Sequence, residues 1–144
     1  MKTQDAIQSQ YLAALKMLKE AIVKCPPTVW DAAQDKDKAW FKVHHTLYWT
    51  HRFVQGTNRG FVRWKGHRHP NSRKPVSKPE MLEYLAFIQQ QLAGDGLAFQ
   101  QEKLERAISG IRHIQQHTGE LYERLGTRKK ITLTWTEEVH RKTK

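Results

Sequence analysis

His113 and His117 stand four positions apart in the stretch Ile111-Arg112-His113-Ile114-Gln115-Gln116-His117-Thr118-Gly119-Glu120-Leu121. In a helix that spacing puts both imidazoles on one side, about 6 Å apart in rise, where they can share one metal ion. The pair alone is a weak signal, because i, i+4 histidines also fall by chance on solvated faces. A third histidine from another element would complete a site. Histidine is the commonest protein ligand for zinc, nickel and other borderline metals. Two ligands on one helix and one from elsewhere leave positions for water or substrate, the open arrangement of catalytic rather than structural zinc. An ion so held could acidify a bound water or thiol, or polarise a carbonyl.

The chain around these rings reads as helices. From Thr3 to Lys24 the apolar residues Ala6, Ile7, Tyr11, Leu12, Leu15, Leu18, Ala21 and Ile22 recur at three- and four-residue spacing. Pro26 and Pro27 end that helix, and the connector Thr28 to Asp37 carries Val29 and Trp30 to pack on the domain. A second helix spans Lys38 to about Gln55, with Trp40, Val43, His44, Leu47, His51 and Val54 on one face and His45 on its flank near Phe41, Tyr48 and Arg52. Ser77 caps a third, with Glu80 three residues on and Pro79 early in the helix. It carries Met81, Leu82, Leu85, Ile88 and Leu92 and stops near Gly94. The fourth, roughly Gln100 to Leu125, has Leu104, Ala107, Ile108, Ile111, Ile114, Leu121, Tyr122 and Leu125 as its stripe, with Gly126 expected to close it. His113 and His117 lie to one side of that stripe, toward the edge of the domain. Ile131 to Trp135 alternates like a strand with nothing to pair with, and reads as an extended tail packed by Ile131, Leu133 and Trp135.

Four helices predict an all-α, up-and-down four-helix bundle, one domain over residues 1–144. Gly56 to Lys78 is the one long loop, between the second and third of these helices, and Phe61, Val62 and Trp64 are its expected anchors. The single cysteine, Cys25, excludes an intrachain disulfide and a thiolate-rich zinc site, and reads as a small apolar residue at a helix end. No run approaches a membrane span and the N-terminus lacks a signal-peptide core, so a cytoplasmic protein is expected. The net charge of +11 points to an anionic partner. It is concentrated: no acidic residue lies between Asp37 and Glu80, where Lys38, Lys42, Arg52, Arg59, Arg63, Lys65, Arg68, Arg73, Lys74 and Lys78 all fall.

The stretch Cys25-Pro26 through Trp30-Asp31, then Trp40-Phe41-Lys42-Val43-His44-His45-Thr46-Leu47-Tyr48, resembles the N-terminal half of DinB-like (DNA-damage-inducible) four-helix-bundle proteins. Ser77-Lys78-Pro79-Glu80-Met81-Leu82-Glu83-Tyr84-Leu85 and the segment around His113 and His117 continue the resemblance in order, to about Arg124. It implies a bundle that binds a divalent metal, zinc or nickel, through three histidines, commonly as a homodimer. Some relatives are thiol-dependent transferases or isomerases using a low-molecular-weight thiol. Carried over by position, the ligands are His113, His117 and the histidine of the His-Thr-Leu phrase, His45; its neighbour His44, placed inward by the helical wheel, is the rival. Glu120 is within reach of the last turn of the site, although a solvated charge is the ordinary role for such a residue. The basic loop and the tail after Ile131 have no counterpart in the resemblance.

Three functions follow. The first is a metal-dependent enzyme, a thiol transferase or a hydrolase, whose basic loop helps to hold a small anionic substrate. The second is a nucleic-acid-binding module, motivated by the acid-free run but lacking any helix-turn-helix, zinc-finger or aromatic-platform motif. The third is a non-catalytic interaction bundle.

Overall fold

The structure is a computed structural model that describes residues 2–54, 62–93 and 104–139. Among these residues it is all-helical, with α1 Thr3–Lys24, α2 Pro27–Trp30, α3 Ala39–Val54, α4 Lys78–Ala93 and α5 Leu104–Lys129. α1 stops where Cys25, ahead of Pro26, turns to extended backbone at ψ 117°. Pro27 then opens α2 at a first-turn position, where its missing N–H costs nothing. That single turn lies inside what the sequence reads as a connector, and it buries Val29 and Trp30. The Trp30 indole N–H donates to the Val76 carbonyl at 2.9 Å, tying the turn to the end of the basic loop.

α1 and α3 each pack against both α4 and α5. One apolar cluster joins them, including Tyr11, Leu15 and Leu18 of α1, Leu47 of α3, Leu85 and Ile88 of α4, and Ile114 and Leu121 of α5. α3 also buries Thr46 and Thr50, whose hydroxyls donate to the carbonyls of Lys42 and Thr46 one turn back, so neither is left unsatisfied. At the start of α4 the Ser77 hydroxyl accepts the Glu80 amide at 3.2 Å, the cap that the sequence predicts.

Three expectations about α5 and the tail are corrected. α5 runs through Gly126 to Lys129, and it is Lys130, at φ 55°, that turns the chain out, its amide donating to the Gly126 carbonyl. Ile108, expected on the apolar stripe, is half exposed. Trp135 is 70% exposed, so the tail is packed by Ile131 and Leu133 alone. Residues 131–139 run extended along α1, antiparallel to it. Lys24 donates to the Thr132 carbonyl, Glu20 accepts from Thr134, and Gln10 donates to the Glu137 carbonyl.

Of the loop, residues 62–77 are described; Phe61 lies outside them. Trp64 is its anchor, buried and stacked on Tyr84 with ring centroids 4.3 Å apart. Val62 is exposed, contrary to expectation, but its carbonyl accepts the Nε2–H of His51 at 2.8 Å. Lys78 donates to the carbonyls of Val23 and Cys25 at the end of α1, where a cation is favoured. No helix among the described residues is long and apolar enough to cross a membrane.

Candidate metal centre

α3 and α5 meet along one edge of the domain, and three half-buried histidines face one another across it. His45 comes from α3, and His113 and His117 come from successive turns of α5. The Nε2 of His113 lies 3.3 Å from that of His45 and 3.2 Å from that of His117. The three rings offer ligand atoms that all lie within 4.8 Å of one another, close enough to hold one metal ion.

The donor set fits such an ion. Ligand nitrogens about 2.05 Å from a tetrahedral zinc are about 3.3 Å from one another, which matches the two separations above. Metal binding also needs neutral imidazoles. Burial, reinforced by the neighbouring histidines, pushes His113 down to about 4 and lowers His45, so both favour the neutral form. Without an ion, three converging ring nitrogens can satisfy only some of their lone pairs through one another.

Local packing fixes the rings. On α5 the buried Ile114 and Thr118 lie beside the two histidines and face the core, which leaves His113 and His117 on the α3 side. On α3, Phe41 sits one turn before His45 and stacks on it, centroids 6.2 Å apart at 25°. The His113 and His117 rings meet edge to face at 4.6 Å. Arg73 of the basic loop lies over the other partner of this stack, its guanidinium carbon 4.2 Å from the Phe41 centroid.

His44 is not part of the cluster. One residue is about 100° of helix, and His44 is turned inward, 2% exposed, between the rings of Tyr48 and Tyr84. Burial, helped by the Arg68 cation, pushes it down to about 4, so it is a neutral core residue.

Outside the three rings, Glu120 is engaged rather than solvated. Its Oε2 lies 3.3 Å from the His117 Nδ1 and 2.5 Å from the Lys42 Nζ. Burial pulls its carboxyl upward, but the bonds from Lys42 and His117 outweigh this and hold it below the usual range. The His113 Nδ1 is buried with no hydrogen-bond partner among the described residues. The sequence places Lys42 only in the basic run and not at the site. The available signal was its place one turn before His45, on the same side of α3.

Much of the basic run is committed within the molecule. Lys65 pairs with Glu83 at 2.9 Å, Arg68 with Glu80 at 3.6 Å and Arg73 with Asp37 at 3.8 Å. Searches against protein families, curated proteins and solved structures find no match to this chain.

Proposed function

We propose that the chain is a DinB-like, up-and-down four-helix bundle that holds a divalent ion, zinc or nickel, on His45, His113 and His117, and acts as a metal-dependent thiol transferase. The observation that carries the metal reading is the convergence of three imidazoles whose ligand atoms lie within 4.8 Å of one another, two of the separations, 3.3 and 3.2 Å, being those of a tetrahedral ion. Bound there, the ion supplies a Lewis acid that favours the thiolate form of a coordinated thiol. The reaction class is transfer of a low-molecular-weight thiol to an electrophilic carbon: a C–S bond forms, the thiol proton passes to solvent, and the displaced group leaves with its electron pair.

The chain's own residues supply binding and orientation. Phe41 stacks on His45 and covers one side of its ring, while Arg73, lying over Phe41, offers a cation that an anionic substrate would take in place of Asp37. The basic run carries no helix-turn-helix, zinc-finger or aromatic-platform motif, and Lys65 and Arg68 already face Glu83 and Glu80, which weighs against the nucleic-acid reading. A homodimer belongs to the same proposal and is checked by sedimentation.

The test is elemental analysis of tag-free protein purified without chelator, followed by thiol-transfer assays. One divalent ion per chain, lost from a His113→Ala/His117→Ala variant that remains folded, is the expected result. Protein that neither carries metal nor gains thermal stability on addition of zinc or nickel would overturn the reading, since a ligand that prefers the folded state must stabilise it.

A further inference from the structure

His117 is the ligand whose far nitrogen meets a carboxylate. That carboxylate oxygen is shared: Glu120 Oε2 accepts from the His117 Nδ1 at 3.3 Å and from the Lys42 ammonium at 2.5 Å. Lys42 stands on α3 one turn before His45, and Glu120 on α5 one turn after His117, so the pair spans the same two helices as the three rings. Neither side chain is free in solvent, with exposures of 15% and 35%. The charge that Lys42 draws from this oxygen is charge that His117 does not receive.

We propose that the Lys42–Glu120 pair sets the metal affinity of the three-histidine site through the Nδ1 of His117, an inference that rests on the metal-binding reading above. Glu120 accepts the Nδ1–H, which fixes the tautomer with its lone pair on Nε2 and makes that nitrogen a better donor. Lys42 works against it in two ways: it polarises the carboxylate away from His117, and it holds a positive charge beside the place of a divalent cation. Both are positioning residues, and they act with opposite sign. A pair that served only to clamp α3 to α5 would instead give losses of the same sign on removing either partner.

The experiment titrates metal-free full-length protein with zinc against a chromophoric chelator, and records the melting temperature of each metal-free form. Glu120→Gln is expected to weaken zinc binding about 10-fold. Lys42→Met is expected to tighten it about fivefold, the effect of removing one cation close to a divalent ion. In the double variant the Lys42→Met gain should shrink, because part of it passes through Glu120. Wild-type protein that takes up no zinc would remove this proposal together with the reading beneath it. Wild-type protein that binds zinc while both variants match it, or while Lys42→Met binds more weakly, would overturn this proposal and leave the metal site standing.

Discussion

The Nε2 atoms of His45 and His113 lie 3.3 Å apart although 68 positions separate the two residues in the chain. Only the packing of α3 on α5 brings them together, so the contact reports the register of the two helices. His45→Ala should therefore abolish tight zinc uptake while costing little stability, since the ring is only half buried. His44→Ala should do the reverse. It empties a core position that is 2% exposed, at a cost of roughly 2–4 kcal/mol, and leaves the metal in place. Elemental analysis and urea unfolding of the two variants separate the cases, and loss of metal from folded His44→Ala would reassign the third ligand.

The helical wheel places His44 inward and His45 on the flank, and the structure keeps that geometry. What the wheel lacks is the partner helix, and choosing the ligand needs to know that α5 lies along that flank. The H-x-x-x-H spacing is legible because it is local to one helix. Glu120 and Lys42 are legible only as positions one turn from a candidate ligand, since their bond crosses between α3 and α5. The same limit explains the misplaced end of α5. Gly126 is a stop by composition, but the turn out of the helix falls at Lys130, where the amides of Lys130 and Ile131 return to the carbonyls of Gly126 and Leu125. Trp135 reads as core because it is large and apolar, yet the tail presents it to solvent.

Two glycines of α5 should respond in opposite ways to the same substitution. At Gly119 a Cβ would meet nothing within 4 Å, so Gly119→Ala gains helix propensity of roughly 1 kcal/mol. At Gly110 it would fall 2.1 Å from the Tyr11 hydroxyl and 3.0 Å from a Phe53 ring carbon. Tyr11 cannot simply swing away: it is fully buried and donates to the Ala107 carbonyl at 2.7 Å. Gly110→Ala should therefore destabilise by roughly 1–3 kcal/mol despite the better helix former. Thermal unfolding of the two variants checks the signs.

His51 couples folding to pH. It is fully buried, with Nε2–H donating to the Val62 carbonyl and Nδ1 accepting from the Tyr84 hydroxyl at 2.7 Å, an arrangement that requires the neutral ring. Burial, only partly offset by the Val62 bond, pushes it down to about 4 from an ordinary 6.5. Between those values the unfolded chain binds a proton that the folded chain refuses, so stability rises with pH across the window. Lowering the pH from 6.5 through 4 should then remove roughly 3 kcal/mol at most through this residue. His51→Gln, which keeps a donor and an acceptor but does not titrate, should lessen the dependence of urea midpoints on pH over that range without abolishing it, because His44 and His113 are pushed down over the same range. An unchanged slope would show that His51 is not the group responsible.

The described part of the basic loop should depend on Trp64 for its attachment, independently of the histidine centre. The indole is 7% exposed and nearly parallel to the Tyr84 ring, at 10°. The chain folds tightly around it, with the His67 amide returning to the Trp64 carbonyl and a Cβ at Gly66 falling 2.4 Å from the indole. Trp64→Ala should cost roughly 3–5 kcal/mol by emptying that space, and should speed tryptic cleavage at Arg63 and Lys65. Tyr84 packs against His44 and His51 rather than against the three facing rings, so the loss stops short of the centre. Zinc affinity within about twofold of wild type is therefore expected while the variant stays folded. A large fall in affinity would mean that the loop helps to build the centre, through Arg73 on Phe41, rather than only lying beside it.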